Sequence, residues 1–184
     1  MTTQTTLLTY DDYINGPEIK QRYDIVDGKM IFMAPAPTLR HQRILRLLVR
    51  ILDTFVTEQD LGEIYFAPAD VVIQRSPLRT RQPDLLFVSN ERSEILGDVV
   101  EGGPDLVVEI LSPSNSRQDI ADKLADYANV GVRECWLVSP EAQTVEVLAL
   151  TEGVWRRTSL HGQGDPIHSN IFDDLEAGVS QLFV

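Results

Sequence analysis

Apolar and polar positions change period along this chain, and the changes mark its elements. Between Leu39 and Thr57, Ile44, Leu45, Leu47, Leu48, Ile51, Leu52 and Phe55 recur at three- and four-residue intervals, which predicts a long amphipathic helix. Ile120, Leu124, Tyr127 and Ala128 form a second such stripe from Arg117 to Asn129, with Gly131 just past its end as a stop. Thr9 caps a short helix through Tyr13, ended by Asn15-Gly16-Pro17. Elsewhere the apolar runs are short and strand-like: Glu63–Phe66, Asp70–Ile73, Asp84–Val88, Leu106–Leu111 and Glu134–Ser139. Tyr23–Val26 and Lys29–Met33 flank Asp27-Gly28, a strong hairpin signal, and Pro35 and Pro37 close that unit. Thr144–Leu150 and Val154–Leu160 flank Glu152-Gly153 in the same way. The polar, Arg-rich stretch Gln74–Gln82 reads as a loop, and Ser89–Gly103 as an acidic connector. The tail from Ile171 to Val184 keeps enough apolar residues to dock.

Helix, hairpin, long helix, strands, helix, strand, hairpin is the order of a mixed α/β fold: a mixed sheet flanked by helices, with β-hairpins in the N-terminal and C-terminal parts. The succession Leu106–Leu111, Arg117–Asn129, Glu134–Val138 predicts one parallel crossover. No repeat or linker interrupts residues 1–184, so one domain is expected.

Composition narrows the classes. No stretch approaches the roughly 20 apolar residues that span a bilayer, and the first residues lack a signal-peptide pattern, so a cytoplasmic protein with no membrane partner is expected. Cys135 is the single cysteine, which rules out an internal disulfide and a thiolate-only zinc site. The net charge of -12 opposes polyanion binding, but its distribution matters. Met1–Pro83 carries 10 Lys and Arg against 10 Asp and Glu, whereas Asp84–Val184 carries 6 against 18. Arg40, Arg43, Arg46 and Arg50 recur along one side of the long helix, either as a solvated face or as a phosphate-contacting stripe.

The chemistry concentrates at Glu109. An ionised side chain inside a Leu/Val/Ile run costs several kcal/mol unless a cation or a full set of hydrogen bonds compensates it. Alternation puts Asp105, Val107, Glu109 and Leu111 on one face of the strand and Leu106, Val108 and Ile110 on the other. If Asp84–Val88 is the neighbouring strand, Asp84 converges on Glu109, and two carboxylates with water make a Mg²⁺ site. The bland readings are a turn cap for Asp84, a backbone-bound carboxylate for Glu109 and a helix-surface pair for Lys123. Asp105 shares the context of Asp84 and reads as structural.

These residues in order, Pro83-Asp84, then Pro104-Asp105-Leu106-Val107-Val108-Glu109-Ile110-Leu111, then Asp119, Lys123 and Tyr127, then Gly131-Val132-Arg133-Glu134-Cys135-Trp136, resemble the PD-(D/E)xK nuclease superfamily and within it the Uma2 family. Tyr23-Asp24-Ile25-Val26-Asp27-Gly28 and His41 extend the resemblance over nearly the whole chain. It implies a restriction-endonuclease-like fold and a metal-dependent endonuclease that hydrolyses DNA phosphodiesters. Asp84, Glu109 and Lys123 would be catalytic; Asp84, Glu109 and additionally Asp24 would hold Mg²⁺, or Mn²⁺ in its place. His41, Arg43, Arg46 and Arg50 would contact the nucleic acid, and a homodimer is implied by resemblance alone. One departure stands out: the superfamily's lysine two residues after the glutamate is Leu111 here, and its role falls to Lys123 on the next helix.

That departure, with the acidity, keeps a second reading open: a catalytically inactive module of the same fold that binds a protein or nucleic acid. Other chemistries fit less well. Ser112-Pro113-Ser114 lacks a nucleophile elbow, His41, His161 and His168 lack zinc spacing, and no phosphate-binding glycine loop is present.

Overall fold

A computed structural model describes residues 7–17, 19, 21–32 and 37–184 of the chain. The expectations for Met33 and Pro35 fall outside these residues.

The first helix, α1 (Tyr10–Ile14), begins at Thr9, whose hydroxyl accepts from the Asp12 amide while the Asp12 carboxylate accepts from the Thr9 amide. This reciprocal box satisfies two of the donors that every helix start leaves orphaned. Strands β1 (Tyr23–Val26) and β2 (Lys29–Phe32) form the expected hairpin. Asp27 and Gly28 both take positive φ, 51° and 72°, the backbone of a tight turn whose twist matches its strands. Gly28 is also pressed by its neighbours, since a Cβ there would lie 2.9 Å from Leu7 Cβ.

The long helix α2 (Leu39–Glu58) starts at Thr38 and buries Ile44, Leu45, Leu47, Leu48, Leu52 and Val56 along one stripe. After it come β3 (Gly62–Phe66), β4 (Val71–Arg75), β5 (Leu78–Arg81), β6 (Leu85–Ser89) and β7 (Leu106–Ile110). Helix α3 (Arg117–Asn129) leads to β8 (Glu134–Ser139), and β9 (Thr144–Thr151) with β10 (Val154–His161) completes the set.

Two sheets result among the described residues, a four-stranded one ordered β2-β1-β5-β4 and a six-stranded one ordered β10-β9-β8-β7-β6-β3. In the larger sheet β7 and β8 run parallel, joined through α3 as the crossover predicts, and the other neighbours are antiparallel. Helix α2 and the C-terminal tail cover one face, where Leu106, Val108, Ile110 and Trp136 meet Leu48, Leu52, Phe172 and Leu182. Helix α3 covers the other, where Val107, Cys135 and Leu137 meet Tyr127 and the partly buried Ile120 and Leu124.

The stretch Gln74–Gln82 is not the loop that its polarity predicts. Most of it completes β4 and forms β5, which pairs with β4 and with β1. Its Leu78 is fully buried against Tyr23 and Ile25, and its Arg81 is buried because two carboxylates neutralise it. A buried arginine looks like a solvated one until its partners are known. The acidic connector likewise holds a short 3₁₀ turn, Asn90–Ile95.

The tail docks through Glu134, which has no solvent exposure. Its carboxylate accepts from Trp136 Nε1 at 2.6 Å, the Ser169 hydroxyl at 2.7 Å, the Asn170 amide at 2.6 Å and Asn170 Nδ2 at 2.7 Å. So many donors compensate the desolvation of a buried charge.

Candidate active site

The antiparallel register of β6 and β7 pairs Leu85 with Val108, so one step further Asp84 lies across from Glu109. Asp84 straddles its neighbour: its amide donates to the Val108 carbonyl at 3.1 Å, and its Oδ2 accepts from the Ile110 amide at 2.8 Å. Both side chains are mostly buried, 8% exposed for Asp84 and 10% for Glu109. Glu109 shares the α3-facing side of the strand with Val107, whereas Val108 and Ile110 pack toward α2.

Helix α3 supplies the compensation that Glu109 demands. Lys123 Nζ lies 2.7 Å from Glu109 Oε2, and the Tyr127 hydroxyl donates to Oε1 at 2.5 Å. Lys123 and Tyr127 are four residues apart, so one helix face presents both groups to one carboxylate. The capping box of Ser116 and Asp119 fixes where that helix starts. Burial pulls the Lys123 ammonium down, but the charges of Glu109 and Asp24, the hydrogen bond to Glu109 and the charge of Asp84 outweigh it, leaving its pKa raised. Burial raises the Glu109 pKa; Lys123 opposes that and Asp84 adds to it. Asp84 moves the other way: burial would raise it, but the hydrogen bond and charge of His41, the Ile110 amide and Lys123 hold it below the ordinary carboxylate range. Two facing carboxylates with oppositely displaced pKa values are a recurring feature of hydrolytic sites.

The first turn of α2 reaches the same place. His41 Nε2 is 3.2 Å from Asp84 Oδ2, and its buried Nδ1 has no hydrogen-bond partner among the described residues. Arg22 approaches from the segment before β1, with Nη1 3.6 Å from Asp84 Oδ1. Sequence reasoning names His41 only as a substrate contact and passes over Arg22, because neither residue lies near Asp84 in the chain. A basic residue immediately before the Tyr23-Asp24 strand is the only local hint.

Asp24, expected as an additional metal ligand, has both oxygens engaged. Oδ2 accepts from Arg81 Nη1 at 2.9 Å and Oδ1 from the Gln82 amide at 3.1 Å. Arg81 also binds Asp126 of α3, its Nη2 2.6 Å from Oδ2, so an Asp–Arg–Asp bridge ties the small sheet to the helix that carries Lys123. Asp24 therefore acts on Lys123 through charge in this arrangement. Asp105 is a structural anchor, accepting from the Ser89 amide at 2.8 Å and pairing with Arg133 at 2.8 Å.

The arginine stripe diverges from the carboxylates. Arg43 donates to the Val184 carbonyl at 3.3 Å, and Arg46 and Arg50 are exposed. At about 1.5 Å per residue, Arg50 lies roughly 13 Å along α2 from His41, so only the first turn can reach the carboxylates.

The donors suit a hard divalent cation. Two opposed carboxylates are what Mg²⁺ takes from a protein while it keeps several waters. No group of three or more His, Cys, Asp or Glu side chains with metal-binding geometry occurs among the described residues. That the oxygens of Glu109 and of Asp24 already accept hydrogen bonds is compatible with ligation, because each carboxylate oxygen has a second lone pair. Leu111, Asn115, Ile120 and Leu124 line a small cavity with Glu109, Lys123 and Tyr127, giving the charges partly apolar walls that strengthen their interactions.

A model of the family Uma2, described as "Putative restriction endonuclease", matches residues 9–180. Among solved structures, the chain is similar to "a putative nuclease belonging to DUF820" from Anabaena variabilis, with a TM-score of 0.75 and 20% identity over 96% of this chain and 97% of that one. At that identity the likeness establishes the shared mixed α/β fold. No curated protein matches the sequence.

Proposed function

The chain belongs to the Uma2 family, and on that premise we propose that it is a metal-dependent endonuclease that hydrolyses DNA phosphodiesters at Asp84, Glu109 and Lys123. The observation that supports this best is the contact of Lys123 with Glu109 at 2.7 Å, beside Asp84. Lys123 would take over the role that the superfamily pattern gives to a lysine at the position of Leu111, and the two side chains line the same small cavity.

Asp84 and Glu109 would hold Mg²⁺ or Mn²⁺, which supplies Lewis acidity toward the phosphodiester and its attacking water. Glu109 sets the position of the Lys123 ammonium and Tyr127 fixes the orientation of the Glu109 carboxylate. Lys123 orients the water and offsets the negative charge that grows on the phosphoryl oxygens as the bond to water forms and the ester P–O bond breaks. Its raised pKa suits the electrostatic role, because the side chain stays protonated at neutral pH. His41, Arg43, Arg46 and Arg50 would contact the backbone of the bound strand, His41 nearest the carboxylates and the arginines progressively further away.

The test is cleavage of single-stranded and duplex DNA with Mg²⁺ and with Mn²⁺, run beside Asp84→Asn, Glu109→Gln and Lys123→Met. Activity in the wild type that drops by at least about 100-fold in each variant is expected for groups of this kind. Equal activity in all four proteins would point to a contaminant and overturn the reading.

Leu111 and the net charge of -12 favour one competing reading, a catalytically inactive module of the same fold that binds a protein or nucleic acid. Calorimetric titration with Mn²⁺ separates the two, since only the enzyme requires binding that disappears in Glu109→Gln.

A further inference from the structure

A site whose ligands are two carboxylates repels the phosphate it must bind. Compensating cations are therefore part of its chemistry, and the cations around Asp84 differ in what they are free to do. Lys123 is engaged with Glu109 at 2.7 Å. Arg81 is only 9% exposed and is shared between Asp24 and Asp126 at 2.9 and 2.6 Å. Arg22 is different in both respects. Its side chain is 25% exposed, and among the described residues its guanidinium makes long contacts only. Nε is 3.4 Å from Gln82 Oε1, Nη2 is 3.3 Å from the Gln82 carbonyl, and Nη1 is 3.6 Å from Asp84 Oδ1, beyond a charge-assisted hydrogen bond. Gln82 thus sets the plane of the guanidinium, while the end facing Asp84 keeps donor capacity. A planar, permanently charged fork beside a metal-ligating carboxylate matches the oxygens of a phosphate.

We propose that Arg22 holds a non-bridging oxygen of the nucleic-acid phosphate next to Asp84. This rests on the nuclease reading above and adds to it a substrate-binding residue from the N-terminal segment. Gln82 is the positioning residue for it. Because a phosphate contact carries no base information, the contribution of Arg22 is the same for every sequence.

Fluorescence anisotropy of a labelled DNA duplex in EDTA, where no metal is available for cleavage, reads this contact directly. Each phosphate contact contributes about 0.9 to the slope of log affinity against log salt, so at about 0.1 M salt its loss weakens binding roughly eightfold. Arg22→Gln is expected to lose that affinity and lower the slope by about one, whereas Arg22→Lys keeps the slope. A purely structural role would shift thermal unfolding of Arg22→Gln and leave the salt slope unchanged, and that result overturns the assignment. Wild-type affinity and slope in Arg22→Gln overturn it as well, with the nuclease reading intact. A wild type that binds no DNA, either in EDTA or with Ca²⁺ present, overturns both.

Discussion

Lys123 on α3 places its ammonium 2.7 Å from the carboxylate of Glu109 on β7, 14 residues earlier in the chain, and both side chains are at least four-fifths buried. A helix has delivered the cation that the strand requires. The pair couples stability to the candidate chemistry, because neither charge can be removed without stranding the other in a partly apolar pocket.

The coupling is measurable as a double-mutant cycle in urea unfolding. Lys123→Met and Glu109→Gln should each destabilise the fold, Lys123→Met by about 3–5 kcal/mol because it leaves a buried carboxylate unpaired. The double variant should cost clearly less than the sum. Strict additivity would mean that the two side chains do not interact in solution.

Leu111 offers a test of whether the lysine has migrated. It follows Glu109 by two residues, packs on the same side as Tyr127 and lines the same small cavity as Lys123. If nuclease activity requires a cation in that cavity and not a particular helix position, Lys123→Met should lose DNA cleavage and Leu111→Lys/Lys123→Met should regain part of it. A double variant no more active than Lys123→Met alone would tie the function to the helix geometry.

Glu134 should matter to folding without touching the site. Glu134→Ala removes the acceptor of the Trp136 indole and of the Asn170 amide, and buried donors left unsatisfied cost about 1–3 kcal/mol each. A lower urea midpoint and faster proteolysis of the tail beyond Gly162 are expected. An unchanged cleavage pattern would show that apolar packing of Phe172 and Leu182 holds the tail without it.

His161 gives the fold an acid-sensitive point. It is buried with its ring edge-on to His168, and its Nε2 accepts from the His168 amide at 3.2 Å, a bond that the neutral ring alone can make. Burial, then the charge of His168, holds its pKa below the ordinary 6.5. The unfolded chain therefore takes up this proton at higher pH than the folded one. Its contribution is complete above about pH 6.5 and is lost as pH falls toward the folded value. Urea midpoints measured across that range should decline more steeply in the wild type than in His161→Gln. Parallel curves would count against the assignment.

What the sequence determined by itself is what neighbouring residues decide. The helix Arg117–Asn129, the strand Glu134–Ser139, the Asp27-Gly28 and Glu152-Gly153 turns and the Thr9 cap all follow from residues a few positions apart, through periodicity, positive φ and capping. Alternation along β7 also put Glu109 on the side opposite Val108. Tertiary structure alone decided what each charge meets. His41 reaches Asp84 across 43 residues and Arg81 reaches Asp24 across 57, and nothing local distinguishes those side chains from solvated ones. The stretch around Leu78–Arg81 reads as a loop for the same reason, since its charges become compatible with a buried strand only when Asp24 and Asp126 arrive from other elements. An isolated glutamate in an apolar run announces that it needs a cation, because desolvation is a local cost. Which cation answers depends on how a helix packs against the sheet, and that is a property of the whole fold.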